Sequence, residues 1–231
     1  MDRTSCTVSP VLWNRTMKTI GTPVLIITVR RPSFPNSGKT QRMERYFMQL
    51  AHQWQTRWET DLYQKSCQAL AEHTDKETFQ PWNASMDFEI TLWTPPLISI
   101  RINVQEQGPD ATPRSLCIGE VWDCSSGYPC SLRMFLPAKP RRWKRTLIPM
   151  LQEQIQQHLN SGLSLLYPDC VSLAVRRFDP NHFYLTEDGL VIFYPLYALG
   201  SYGEGIPTFT IPISVEVQAN MLRALSITAR R

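Results

Sequence analysis

Apolar residues recur at steps of three and four positions between residues 43 and 62, with polar residues in the gaps. This period places the apolar side chains on one face of a helix, so it predicts one long amphipathic helix. The positions concerned are Met43, Phe47, Leu50, Trp54, Trp58 and Leu62. Because Trp54 and Trp58 share this stripe, they are interpreted as core residues and not as a stacking platform for sugars.

A second amphipathic helix is predicted after residue 146. Thr146 is a suitable N-cap, and Pro149 then falls in the first turn, where its missing N–H does no harm. The sequence Asn160-Ser161-Gly162 predicts the end of the helix, because glycine readily adopts the left-handed conformation found there. The apolar stripe consists of Leu147, Leu151, Ile155 and Leu159. A shorter amphipathic segment follows at 171–178.

Elsewhere the hydrophobic period changes to two. Residues 86–92 and 98–104 alternate between apolar and polar on either side of Pro95-Pro96, which predicts two neighbouring antiparallel strands. The β-branched and apolar run Pro23–Arg31 predicts an earlier strand. Further strands are predicted at 115–123, 130–135 and 209–215.

The clearest turn signal lies between Phe183 and Pro212. Asp188-Gly189 separates two short apolar segments, Phe183–Thr186 and Leu190–Tyr194. Asp-Gly tolerates the positive φ angles of a type I′ turn, so the sequence predicts a tight β-hairpin followed by an aromatic, glycine-bearing loop and one more strand.

Strands interrupted by two helices, without regular βαβ alternation, predict an α+β fold. We expect a mainly antiparallel sheet packed against the two principal helices, in one domain or in two lobes. The predicted divisions are a loose N-terminal arm at 1–21, an α+β lobe at 22–125, a second lobe at 126–218 and a C-terminal tail at 219–231.

Composition and charge narrow the function classes. The chain has 231 residues and is 42% hydrophobic, which is enough for one large domain or two small ones. Its net charge of +4 is too small to indicate nucleic acid binding. The apolar run Val24–Val29 is too short for a membrane span, and no signal-peptide cleavage site follows it, so the residues predict a soluble cytoplasmic protein.

The cysteines indicate reduced structural thiols and no zinc site. The six cysteines form no Cys-x-x-Cys pair, and the four histidines do not lie near them at ligand spacing. Cys124 and Cys130 flank a turn and could form a disulfide only in an oxidising compartment. No metal or cofactor is therefore predicted.

Four other segments invite functional interpretations that the residues support poorly. Asn36–Thr40 resembles the end of a phosphate-binding loop, but Ser33 stands where the loop needs glycine. The basic run Lys139–Arg145 is more simply a solvated loop before a helix. His182 beside Asp179 could act as a general base, although Asp179-Pro180-Asn181 is equally a turn. Glu204 could serve a glycosidase only with a second carboxylate across a cleft.

The segment from His182 to Pro212 also carries a family resemblance. It is similar to the RsiV C-terminal-like domain family, which is bacterial and extracytoplasmic. The family pattern is an aromatic strand, an Asp-Gly type turn, an apolar strand, a tyrosine-rich loop and a Phe-x-Ile-Pro strand. Residues 119–135 resemble the strand-turn-strand that precedes the family's helix, and the weaker similarity extends over roughly residues 22–215.

The resemblance implies an α+β domain without known catalysis. The family occurs in the lysozyme-sensing anti-sigma factor RsiV, where it binds lysozyme, and beside the catalytic domain of the peptidoglycan deacetylase PdaC. We therefore expect a non-catalytic module that binds a protein or a cell-wall-related ligand. A hydrolase of cell-wall or sugar substrates, relying on His182 or Glu204, is the alternative.

The expected contact surface is the loop after the hairpin, because tyrosines are rigid amphipathic anchors that are enriched at interfaces. The same tyrosines could instead fill the core beneath the loop. The residues proposed for partner contact are Tyr194, Tyr197, Tyr202, Glu204 and Pro207.

Overall fold

The structure, a computed structural model, describes residues 7–36, 38–75, 78–108, 112–136, 142–162 and 164–213. Several sequence predictions therefore fall wholly or partly outside the described residues. Among them are the tail at 219–231, the start of the N-terminal arm, residues 139–141 of the basic run 139–145 and the end of the strand predicted at 209–215. The described part is α+β, as the sequence predicted.

The first two strands form a hairpin. Strand β1 spans Ser9–Thr19 and pairs antiparallel with β2 at Thr22–Ser33. Ile20 and Gly21 connect them, both with positive φ angles of 49° and 85°. The prediction of a loose arm through residue 21 is therefore wrong for 9–19. Most β1 side chains are exposed and none is buried, so the hydrophobic pattern of this strand is too weak to predict it.

The predicted long helix is present in three consecutive pieces. Helix α1 spans Gln41–Arg57, a π-helical turn covers Trp58–Leu62, and helix α2 spans Tyr63–Glu72. Trp58 is fully buried, as predicted, and its indole N–H donates to Glu106 Oε1 at 3.0 Å. Trp54 is half-buried beside it.

The helical segment connects β2 to β3, which spans Trp82–Thr94. These two strands pair in parallel, from Leu25 opposite Trp82 to Val29 opposite Met86. The sheet is therefore not wholly antiparallel. A parallel pair needs a long crossover connection, and α1 with α2 supplies it.

The remaining strands of this sheet are β4 at Leu97–Gln107, β5 at Arg114–Asp123 and β6 at Tyr128–Pro129. The hydrogen-bonded order is β1-β2-β3-β4-β5-β6. Pro95-Pro96 links β3 to its neighbour β4, and a two-residue connection joins only antiparallel strands. The strand predicted at 130–135 is wrong, since Leu132–Phe135 forms a 3₁₀ turn.

The chain forms two compact units that interleave in sequence. The first contains residues 1–88 and 102–115, and the second contains 89–101 and 116–231. The lobe boundary predicted at 125/126 stays a prediction.

The second unit carries the C-terminal elements. Helix α3 spans Trp143–Asn160, and helix α4 spans Cys170–Arg176. A separate sheet has the order β7-β8-β9, with β7 at Phe183–Thr186, β8 at Gly189–Phe193 and β9 at Thr208–Ile211. The core of this unit includes Phe135, Leu147, Leu151, Ile155, Phe183, Leu185, Leu190, Ile192, Leu199 and Phe209.

Two local predictions in the second unit need correction. Helix α3 begins at Trp143, about one turn before the predicted cap Thr146, so Pro149 lies inside the helix. The hairpin turn places Glu187 and Asp188 between the paired residues Thr186 and Gly189. Neither turn residue has a positive φ, so the turn is not type I′.

Gly189 is required by the sheet and not by the turn. Its φ is 142°, and an added Cβ would lie 2.4 Å from the carbonyl oxygen of Ile211 on the neighbouring strand. A glycine is needed where another backbone approaches this closely.

Candidate functional site

The candidate site is the segment Tyr194–Pro207 between β8 and β9, here called the aromatic loop. It lies in the second unit and contains a short 3₁₀ turn at Tyr202–Glu204. The sequence predicted that five of its residues contact a partner. In the structure two of these five residues are buried, two are exposed tyrosines, and the fifth is a glutamate that is hydrogen-bonded to neighbouring segments.

Tyr194 and Pro207 are the two buried anchors. Tyr194 is 1% exposed, and its O–H donates to the backbone carbonyl of Ala174 at 2.9 Å. Burial raises the pKa of the Tyr194 phenol above its ordinary value, so the group stays protonated. The backbone N–H of Tyr194 donates to the carbonyl of Pro207 at 2.9 Å. Both residues thus close the base of the loop and present little surface.

Tyr197 and Tyr202 form the exposed part of the loop. Each is 45% exposed, and their ring centroids are 6.1 Å apart with an interplanar angle of 35°. Tyr197 has a φ of 65°, which is unusual for a residue other than glycine. The two rings form an amphipathic patch of the kind that anchors protein interfaces.

Arg177 supports the backbone beneath Tyr197. It immediately follows helix α4, and its Nη1 donates to the carbonyl of Ala198 at 2.6 Å and to that of Tyr197 at 3.4 Å. A charged donor gives these bonds more strength than a neutral one. The left-handed conformation of Tyr197 is therefore held by a side chain that the sequence did not single out.

Glu204 braces the other side of the loop. Its side chain is only 10% exposed, and Oε1 lies 2.7 Å from Nε2 of His158 on helix α3. Oε2 accepts the backbone N–H of Leu165 at 2.5 Å. One carboxylate thus ties the aromatic loop to α3 and to the segment that follows it.

A short ladder joins the aromatic loop to residues 165–167. The N–H of Tyr167 donates to the carbonyl of Leu199 at 2.8 Å, and the N–H of Ser201 donates to that of Leu165 at 3.1 Å. Leu166, between them, is buried, whereas Leu165 and Tyr167 are 52% and 36% exposed. These two residues are exposed hydrophobic side chains on a segment that is hydrogen-bonded to the aromatic loop.

Two glycines permit this close packing. An added Cβ at Gly200 would lie 2.8 Å from the carbonyl oxygen of Leu165, and one at Gly203 would lie 2.7 Å from Leu165 Cδ1. The contribution of 165–167 was not predicted from the sequence, although the two glycines were a signal that another segment packs closely against the loop.

His182 does not form the catalytic pair that its position suggested. Its Nε2 is 3.8 Å from Oδ2 of Asp179, which is too long for a hydrogen bond. Asp179 Oδ1 instead accepts the N–H of Asn181 at 2.8 Å, as in an Asx turn. The His182 ring stacks on Phe193 with centroids 5.1 Å apart. The geometry therefore indicates that Asp179 stabilises a turn and that the His182 ring packs on Phe193.

Cys117 and Cys130 are buried free thiols, so Cys130 forms no disulfide with Cys124. Burial raises the pKa of Cys117 and of Cys130 to about 12, so neither thiol is an activated nucleophile at neutral pH. Among the described residues, no group of three or more potential ligands is placed to hold a metal ion.

The described end of the basic run forms the start of helix α3. Lys144 Nζ lies 5.5 Å from the ring centroid of Trp143 and 5.8 Å from that of Phe178. The ammonium group of Lys144 therefore already makes cation–π contacts within the chain. No helix within the described ranges has the length and apolar character that crossing a membrane requires.

The aromatic loop lies in a segment of the chain that matches a sequence-family model. Residues 134–214 match the family model described as a protein of unknown function, DUF3298. This matched segment contains α3, α4, the β7–β9 sheet and the aromatic loop. No functionally curated protein matches the chain.

Two solved structures of DUF3298 proteins share the fold. One is from Bacteroides fragilis, with a TM-score of 0.61 and 15% identity over 94% of this chain and 97% of that chain. The other is from Pseudomonas aeruginosa PAO1, with a TM-score of 0.57 and 12% identity over 90% of each chain. At these identities the likeness extends to the fold alone.

Proposed function

We propose that the chain is a non-catalytic protein-binding module, related to the RsiV C-terminal-like domain, that contacts its partner through the aromatic loop. The observation that carries this proposal is the pair Tyr197 and Tyr202, exposed side by side on a rigidly held backbone. Exposed aromatic rings that are already ordered lose little entropy on binding, so they make good anchors.

The support of the loop favours recognition over chemistry. Both carboxylate oxygens of Glu204 are engaged, one with the His158 ring and one with the backbone N–H of Leu165. Arg177 donates hydrogen bonds to loop carbonyls. These groups hold a surface in place. The proposed partner is a protein of the cell envelope, and the family resemblance makes lysozyme the first probe.

The binding test compares the full chain with two variants. The double variant Tyr197→Ala/Tyr202→Ala removes both exposed rings. Tyr128→Ala is the matched control, because Tyr128 is 56% exposed in the same unit but belongs to β6. Binding to immobilised lysozyme is measured by interferometry. We expect the double variant to lose at least about 2 kcal/mol of binding free energy, as is typical of interface hot spots, and the control to bind like the wild type.

The hydrolase alternative rests on one specific contact. His158 and Glu204 are two titratable groups joined at 2.7 Å, and His158 remains 44% exposed. A histidine–carboxylate pair is a common general-base arrangement.

Release of soluble fragments from purified peptidoglycan tests this alternative. A hydrolase that uses the pair would release fragments, and Glu204→Gln would abolish that release. The binding proposal predicts no release above a buffer control from either protein. Release that depends on Glu204 would contradict the proposed non-catalytic function.

A further inference from the structure

Strand β1 is an edge strand of the sheet that the described residues form. It stands at the end of the strand order and, among the described residues, pairs only with β2. An edge strand presents unpaired backbone N–H and C=O groups, which form a template for pairing with another strand. β1 is 11 residues long, well above the usual strand length of about 5–6.

This edge has few of the features that normally prevent association. Proteins protect edge strands with central prolines, bulges or charges. Pro10 lies at the start of β1, and the register shift lies near its end, between Met17 and Lys18. Arg15 is the charge nearest the centre, and it forms an ion pair with Glu59. Residues 11–17 therefore form a long open edge whose central charge is already paired.

The exposed side chains of β1 are partly apolar. Val11 is 38% exposed and Leu12 is 60% exposed. Trp13 and Met17 are only half-buried. Association along this edge would cover apolar surface as well as satisfy backbone groups, which favours a second strand over solvent.

Symmetry limits how two copies of β1 can pair. In an antiparallel pair, a two-fold axis normal to the sheet keeps the same face of each copy on the same side. Arg15 reaches Glu59 in the π-helical turn, so the odd-numbered residues face the helical layer in both copies. Odd residues must therefore oppose odd residues. The central axes that satisfy this pass through Trp13, Asn14 or Arg15.

The axis through Asn14 fits the sequence best. An axis through Arg15 would place two arginines directly opposite each other, which is destabilising. An axis through Trp13 would leave Lys18 and Thr19 without partners. With the axis through Asn14, all 11 residues of β1 pair.

The resulting cross-strand pairs are complementary. Arg15 opposes Trp13, which permits a cation–π contact, and Val11 opposes Met17 in an apolar pair. Like charges do not face each other anywhere in this register. We propose that the chain forms a two-fold homodimer in which the β1 strands of two copies pair antiparallel, with Asn14 opposite Asn14.

Mass measurement by light scattering over a concentration series tests the dimer with the full chain. We expect the wild type to be dimeric. Asn14→Lys places two lysines opposite each other on the axis and should weaken the dimer at least tenfold. Thr16→Lys is the matched control, because it adds the same charge to the same exposed face but opposes Leu12. A wild type that is monomeric throughout, or equal effects of the two variants, overturns the proposal.

Thiol cross-linking tests the register independently. In a chain whose Cys6, Cys67 and Cys124 are replaced by serine, Asn14→Cys should cross-link to itself with a short bifunctional thiol reagent. Leu12→Cys should cross-link efficiently only when mixed with Thr16→Cys. Self-cross-linking of Leu12→Cys that equals that of Asn14→Cys overturns the register. Thermal melting confirms that each variant is folded.

Discussion

The buried hydroxyl of Ser99 on β4 forms a hydrogen bond with strand β7 of the hairpin. Ser99 is fully buried, and its Oγ accepts the backbone N–H of Leu185 at 2.8 Å. The same oxygen lies 2.9 Å from Oγ1 of Thr91. All three residues belong to the second unit.

Removing the Ser99 hydroxyl should lower the free energy of unfolding more than removing the neighbouring Thr91 hydroxyl. Ser99→Ala leaves the buried N–H of Leu185 without a partner, so the free energy of unfolding should fall by about 1–3 kcal/mol. Thr91→Ala removes one hydrogen bond only and should cost about 0.5–1.5 kcal/mol. Urea denaturation of both variants measures the difference. An equal loss would mean that the Leu185 contact contributes nothing.

Gly119 on β5 is fixed by a close backbone approach. A Cβ at this position would lie 1.9 Å from the carbonyl oxygen of Phe183 and 2.7 Å from its carbonyl carbon. Gly119→Ala should therefore destabilise the chain by about 3 kcal/mol or more, at the upper end of overpacking.

Gly203→Ala is a suitable control for this prediction. Its added Cβ would come close only to the flexible end of the Leu165 side chain, which can move, and would lie 4.0 Å from Ser201 Oγ. The melting temperature of Gly119→Ala should be clearly the lower of the two. Equal melting temperatures would contradict the close packing of β5 on β7.

The buried thiols predict a loss of stability at high pH. Cys117 and Cys130 have pKa values raised to about 12 by burial, whereas the ordinary value is 9.0. Above pH 9 the unfolded chain loses these protons while the folded chain keeps them. Because the folded state then binds more protons, stability falls as pH rises from about 9 towards 12.

Denaturation curves at a series of alkaline pH values check this dependence. The variant Cys117→Ala/Cys130→Ala is compared with the wild type, since it lacks both titrating thiols. The wild type should lose more stability between pH 9 and pH 11 than the variant. The same slope in both proteins would show that the thiols are not protected by burial.

At the level of elements, Pro149 interrupts the hydrogen bonding of α3. It is exposed, and it lies well inside the helix that spans Trp143–Asn160. Proline there cannot donate to the carbonyl of Arg145 and crowds it sterically.

Replacing this proline should stabilise the helix. Pro149→Ala is expected to raise the free energy of unfolding by about 1–3 kcal/mol, because it restores an N–H donor and a high helix propensity. Gln156→Ala, also exposed on α3, should change stability by less than about 0.5 kcal/mol. Thermal melting distinguishes the two. A Pro149→Ala variant no more stable than Gln156→Ala would contradict an interior position.

The sequence predicted elements well where side-chain burial imposes a period. The stripe from Met43 to Leu62 and the alternation at 86–104 both correspond to real elements. It failed for β1, because most of its side chains are exposed and none is buried, which leaves only a weak hydrophobic pattern. It also placed the start of α3 late, since Trp143 begins the helix without a side-chain cap.

The aromatic loop could be predicted only in part. Its tyrosines and glycines signalled an irregular surface segment, but the sequence could not distinguish the buried Tyr194 from the exposed Tyr197 and Tyr202. That distinction depends on Arg177 and His158, which are distant in sequence from the loop residues they contact. Long-range polar contacts of this kind have no periodic signature.

At the scale of the whole molecule, the proposed partner-binding surface belongs to the second unit. The DUF3298 match at 134–214 and the aromatic loop both lie there. The open edge of β1 belongs to the first unit. The two proposals therefore concern different residues in different units, and we expect a variant in one region to leave the other interaction unaffected.

Affinity capture from a bacterial envelope extract, with lysozyme added as a defined probe, tests the central claim most directly. The wild-type chain, Tyr197→Ala/Tyr202→Ala and Tyr128→Ala are immobilised in equal amounts, and the bound proteins are quantified. The account predicts that the same partner is recovered by the wild type and by Tyr128→Ala and is lost with the double variant. Equal recovery of every bound protein by all three chains would contradict a contact surface at the aromatic loop.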